Sequence, residues 1–146
     1  EIDYGYVGEI TNVNTNYLYE LMNSNYIPVI APLGYDSNND IYNINADSAA
    51  SAIASQLSAE KLIFLTDQQG VLNDSKELIS SLNFSEIKNL IDLNIISGGM
   101  LPKIQACISA IENNVKMAHI VDGRVQHSVL LEIFTKEGIG TLVKND

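Results

Sequence analysis

The spacing of apolar residues changes several times along the chain, and each change marks an element. Residues Tyr4–Ile10 alternate in the manner of a strand. After the turn-and-cap cluster Asn14–Asn16, residues Tyr17, Leu18, Leu21 and Met22 recur at helical spacing. Ile27–Leu33 is a short apolar run holding Pro28 and Pro32, and it predicts a buried strand. Gly34–Asp40 is a polar turn, and Ile41–Ile44 is a further short strand. Asp47–Leu57 is rich in Ala and Ser, with apolar side chains at 49, 50, 53, 54 and 57, the pattern of a closely packed helix. Lys61–Thr66 is an apolar strand and Asp67–Asp74 a loop. Ser85–Leu93 reads as an amphipathic helix with Ser85 as its cap. Gly98 and Gly99 break the chain before a long helix, Met100–Glu112, with Ile104, Cys107, Ile108 and Ile111 on one face. Met117–Val121 is a strand, Ser128–Phe134 a helix, and Gly138–Val143 turns into a terminal strand.

Strands alternating with helices predict an α/β fold: a three-layer sandwich with a mostly parallel open sheet and helices on both faces. Residues 1–146 read as a single domain, without internal repeat or linker. In such sheets ligands bind beyond the carboxyl ends of the strands. That directs attention to Asn43–Asp47, Thr66–Asp74, Ser97–Lys103 and Asp122–Ser128.

Charge narrows the ligand class. Eighteen acidic against eight basic residues give a net charge of −10. This argues against nucleic acid, which rewards a basic face, and against an anionic membrane surface. A phosphorylated small molecule stays open, since backbone N–H groups and one lysine suffice to bind it. Cys107 is the single cysteine, so no internal disulfide is expected, and its apolar surroundings predict a buried thiol. No apolar run approaches the ~20 residues of a membrane-spanning helix. The chain starts on Glu1 and is strand-like at once, as expected for a piece of a longer polypeptide.

Three segments could carry chemistry. Asn43–Asp47 runs from a strand end into a helix start, where Asp47 either caps the helix or serves a ligand. Thr66–Leu72 follows an apolar strand, and its Gly70 would let a ligand approach the backbone. Neither G-x-G-x-x-G nor a P-loop is present, so a plain connecting loop is the competing reading. Ser97–Lys103 joins two glycines, a proline suited to a first helical turn, and a lysine. Together these make either a phosphate site or a simple helix start. His119 and His127 have no Cys or His at metal-ligand spacing, which argues against a zinc site.

Taken together, Asn43–Ala50 (NINADSAA), Leu65–Leu72 (LTDQQGVL), Ser97–Lys103 (SGGMLPK) and His119–Thr141 (HIVDGRVQHSVLLEIFTKEGIGT) resemble the amino acid kinase family. The likeness covers nearly the whole chain, in order. It is greatest to the branch that phosphorylates the γ-carboxylate of N-acetyl-L-glutamate with ATP and Mg²⁺, the second step of arginine biosynthesis. The resemblance implies a carbamate kinase-like fold in which this chain is the C-terminal, nucleotide-binding part. It implies a catalytic set containing Lys103, which stabilises the transferring phosphoryl group, and Asp47, which orients lysines. It places Asn43 on the acetylglutamate. It places Asp67, Gln68, Gln69, Gly70, Val71 and Leu72, with Ile95, Ile96 and Ser97, around the nucleotide.

The resemblance further implies an allosteric L-arginine site at His119, Glu132 and Gly138, and a homo-oligomer, a hexamer in the intact enzyme. The opening Tyr4–Glu9 is similar to cyanobacterial and red-algal plastid members, which implies association with the PII signalling protein and a location in the bacterial cytoplasm or plastid stroma. Two departures stand out. The family's N-terminal half, with its glycine-rich loop, second lysine and substrate-gripping arginine, has no counterpart here. Asn73 and Asp74 stand where a lysine is frequent. Two alternatives remain: a non-catalytic arginine-sensing, PII-binding and assembly module, or another carboxylate kinase of the family.

Overall fold

The computed structural model describes residues 5–146. A three-stranded sheet has β1 (Val7–Gly8) parallel to β3 (Ile41–Ile44), and β2 (Leu33–Tyr35) antiparallel on the other side of β3. A four-stranded sheet has the order β4 (Lys61–Thr66), β6 (Met117–Asp122), β7 (Thr141–Val143), β5 (Ser81–Leu82). In it β4 and β6 run parallel in register from Lys61 opposite Met117 to Thr66 opposite Asp122. The β7 strand is antiparallel to β6, and β5 is parallel to β7. The class is the α/β one expected: three of the five ladders are parallel, and β2 and β7 bring the two antiparallel ones. The helices are α1 (Thr15–Asn23), α2 (Ala46–Gln56), α3 (Phe84–Asp92), α4 (Met100–Glu112) and α5 (Ser128–Phe134).

Side chains alternate across a strand, and here the alternation builds two different layers. Leu62 and Phe64 of β4, with Ala118 and Ile120 of β6, share one core with Ala54 of α2, Ile87 of α3 and Ile104, Cys107 and Ala110 of α4. The small residues of α2 let α4 come close, and Ser51 Oγ donates to the Ala106 carbonyl at 3.2 Å. The opposite face carries His119, where α5 packs through Glu132. The β4 and β6 strands therefore run between helices, and their carboxyl ends point to one edge of the molecule.

Three sequence expectations change. Ile27–Leu33 does not form a buried strand: Ile27 and Val29 are 90% and 97% exposed, and pairing starts only at Leu33. Pro28 and Pro32 have no N–H to give a ladder; Pro32 serves only as acceptor, from the Ile44 N–H at 2.9 Å. Helix α3 is capped by Asn83, not Ser85. Asn83 Oδ1 accepts the Glu86 N–H at 2.8 Å while Glu86 Oε2 accepts the Asn83 N–H at 2.9 Å, a reciprocal capping box. Of the expected Tyr4–Ile10 strand only Val7–Gly8 pairs, and Tyr4 lies outside the described residues. Among the described residues no helix is long and apolar enough to cross a membrane.

Candidate functional site

Two helix starts converge at the carboxyl end of β4. Chain leaving β3 passes Asn45, whose side chain accepts the Ser48 N–H at 3.1 Å and so caps α2. With the cap supplied by Asn45, the Asp47 carboxylate in the first turn is free for another partner. That partner is Lys103, in the first turn of α4, whose Nζ donates to the two Asp47 oxygens at 3.0 and 2.8 Å. The pair is 22% and 25% exposed at the side chains, half sheltered rather than solvated. The ammonium also lies 5.9 Å from the centre of the Phe64 ring on β4.

The α4 start is uncapped and open. Gly98 adopts φ +55, a conformation that favours glycine, and no side chain caps the helix. A Cβ added at Gly98 or Gly99 would meet nothing within 4 Å, so the approach to the helix end is open. The positive end of the helix dipole and the Lys103 charge act on the same space.

That space is a pocket of about 360 Å³, walled by Thr66, Asp67, Gln68, Gly70, Val71 and Leu72 on one side and Ile95, Ile96, Ser97, Gly99, Met100 and Lys103 on the other. Its size suits a small-molecule ligand. The structure thus brings together two loops that are far apart in sequence and that the resemblance had joined. Gln69 is exposed and does not line the pocket. Asn43 also does not line it; its side chain is exposed on β3, while its N–H donates to the Tyr6 carbonyl at 2.8 Å. Asp47 itself faces a second, more polar groove of about 730 Å³ between α2 and α4 and reaches the first pocket through Lys103. Thr66, Gly99 and Met100 complete the wall, and their positions in the loops already singled out were the signal for them.

His119, Glu132 and Gly138 form a separate cluster on the α5 face. His119 Nδ1 and Glu132 Oε1 are 2.6 Å apart, and both residues are buried. Glu132 Oε2 accepts the Ile139 and Gly140 N–H groups at 2.7 and 3.0 Å. Burial acts to raise the Glu132 carboxyl, but the Ile139 amide, the His119 ring and the Gly140 amide outweigh it and hold the carboxyl below its ordinary value. Gly138 has φ +62, and a Cβ there would come 2.7 Å from Glu132 Oε2, so glycine is required. His119 Nε2 is buried without a partner.

The remaining sequence candidates serve the scaffold. Hydrogen bonds from the Arg124 side chain and amide hold the Asp122 carboxyl at about 2 and fix the turn after β6. Asn73 closes a turn: its Oδ1 accepts the Glu77 N–H at 2.9 Å. Cys107 is fully buried; burial, and then the Asp47 charge, push its thiol up to about 12.

The model of the amino acid kinase family matches residues 1–122. An acetylglutamate kinase of Campylobacter hominis is 56% identical over 141 residues, 97% of this chain and 50% of that protein. One of Methanosphaera stadtmanae is 54% identical, covering 99% of this chain and 49% of that protein. Among solved structures, an N-acetylglutamate synthase from Neisseria gonorrhoeae complexed with coenzyme A and L-arginine superposes with a TM-score of 0.91 at 29% identity, over 98% of this chain and 33% of that one. The chain spans about half the length of the curated relatives it matches.

Proposed function

The chain belongs to the amino acid kinase family, and on that premise we propose that it supplies the nucleotide-binding part of an enzyme that phosphorylates the γ-carboxylate of N-acetyl-L-glutamate with ATP. The observation that carries this reading is the Asp47–Lys103 pair at the mouth of the Thr66–Leu72 pocket. Phosphoryl transfer depends on positioning and on positive charge where negative charge develops. Lys103 brings that charge, and Asp47 keeps it charged and aimed. The loops Asp67–Leu72 and Ile95–Ser97 hold the nucleotide between them. Mg²⁺ supplies charge neutralisation of the phosphates when bound, and Asp67 is the carboxylate on the pocket wall available to it.

Lys103 is the one cation on the pocket wall among the described residues. A second cation and the acetylglutamate grip therefore come from outside this pocket, with Asn43 as this chain's own contact to the acetylglutamate. The names of the relatives support the substrate. In the intact enzyme, L-arginine acts as feedback inhibitor at His119, Glu132 and Gly138, with Glu132 Oε1 shared between the His119 ring and the guanidinium. The arginine complex of the Neisseria synthase supports this part. Hexameric assembly, association with a PII-type signalling protein and a cytoplasmic or plastid location complete the proposal. Titration with MgADP followed by backbone NMR tests it: amide shifts should concentrate in Thr66–Leu72 and Ile95–Lys103. Shifts confined to the groove between α2 and α4 would place the ligand elsewhere.

A further inference from the structure

Residue 141 is seventy positions from Val71 in sequence, yet it holds the pocket loop. We propose that Thr141 is a positioning residue for the nucleotide pocket, acting through the backbone of Gly70 and Val71; this rests on the pocket reading above. Thr141 is 0% exposed. Its hydroxyl accepts the Val71 N–H at 2.8 Å and donates to the Ile79 carbonyl at 2.7 Å. The Ile79 N–H returns to the Val71 carbonyl at 2.9 Å. These bonds close a ring that ties both sides of the loop from Gly70 to Ile79 onto β7.

Gly70 presses on the same hydroxyl. A Cβ at Gly70 would stand 2.6 Å from Thr141 Oγ1, and φ +143 is a conformation that favours glycine. The path of two pocket-wall residues is thus set by contact with Thr141 rather than by the loop alone. Thr141 is in turn held from behind. The Ile139 and Gly140 amides donate to Glu132, and Gly140 is so close to Ile120 that a Cβ would overlap the Ile120 carbonyl oxygen. Thr141 also pairs with Ile120 in the β6–β7 ladder.

A residue that only filled this space could be valine, which has the shape of threonine. A buried hydroxyl carries a desolvation cost that its hydrogen bonds must offset. Both of its bonds go to the loop.

The test uses the 146-residue chain with Thr141→Val and Thr141→Ser, read by amide hydrogen exchange and by MgADP titration. Thr141→Val should speed exchange at the Val71 and Ile79 amides about tenfold or more, leave Ile120 and Val121 protected, and weaken MgADP about tenfold. Thr141→Ser should restore both readouts. Exchange that rises evenly through the chain, or loop loosening with MgADP affinity unchanged, overturns the proposal. If the unmutated chain does not bind MgADP, the pocket reading falls and this proposal falls with it; MgADP binding by the parent that Thr141→Val leaves unchanged overturns this proposal alone. Should Thr141→Val not fold, Gly70→Ala displaces the loop from the hydroxyl instead. It should loosen the same Val71 and Ile79 amides, and unchanged exchange there overturns the proposal.

Discussion

Lys103→Ala removes the ammonium at the pocket mouth. The structural cost is moderate: the pair is only about a quarter exposed, so Asp47 loses a sheltered partner, but its carboxylate stays in the first turn of α2, where the helix dipole favours it. Together these amount to about 1–2 kcal/mol of stability. The ligand cost is separate, because it is read on folded protein. A hydrogen bond from a charged group to a phosphate oxygen contributes about 1.5–3 kcal/mol, which is roughly 10–150-fold in affinity. Adenosine carries no phosphate, so its affinity should change less than about threefold. Isothermal titration of both ligands against both proteins, well below the melting temperature, makes the comparison. An equal loss for adenosine and MgADP, or an unchanged MgADP affinity in a folded variant, would refute the assignment. Lys103 would then be a scaffold residue that closes α4 onto α2.

Three more outcomes follow from the same geometry. In a complete enzyme carrying this chain, Asn43→Ala should mainly raise KM for acetylglutamate, whereas Asp47→Ala should lower kcat about 10²-fold by leaving Lys103 unheld; a change in melting temperature alone for both would reduce them to scaffold. The Cys107 thiol, fully buried and pushed up to about 12, should react with a thiol reagent at pH 8 only as fast as the chain unfolds, so fast labelling of native protein would contradict its placement. Glu132, held below its ordinary value of 4.5, contributes stability that is fully present above that pH and is lost as pH falls through its lower folded value. Glu132→Gln should therefore melt earlier than the parent at pH 7, and the gap should narrow as pH drops below about 4.5; a gap independent of pH would disprove the ionised Glu132 carboxylate.

How far residues announce their own structure differed from place to place. Met100–Glu112 and Ser128–Phe134 have the bounds their spacing predicts, because the apolar stripe and the punctuation agree at both ends. Ile27–Leu33 misled, since an apolar run looks alike whether a partner strand covers it or not. At α3, Asn83 and Ser85 are both cap types, and only the reciprocal bond to Glu86 decides between them. The pocket walls were legible because loops after strands in α/β folds collect ligand contacts, and the resemblance named the two loops. The Asp47–Lys103 contact spans 56 residues and comes from the close approach of α2 to α4, which the Ala/Ser composition of α2 foreshadows. Thr141 gave no such sign. Its hydroxyl finds partners in Val71 and Ile79, and nothing local distinguishes it from any other strand threonine.

On the proposed function, these residues hold a nucleotide but not the whole reaction. The purified chain, mixed with Mg²⁺, ATP and acetylglutamate, is assayed for ADP release beside a calorimetric titration with MgADP. MgADP should bind measurably but weakly, because Lys103 is the one lysine on the pocket wall among the described residues, and no turnover should occur. Turnover by this chain alone would contradict it, since the complete set of charges would then lie within these 146 residues.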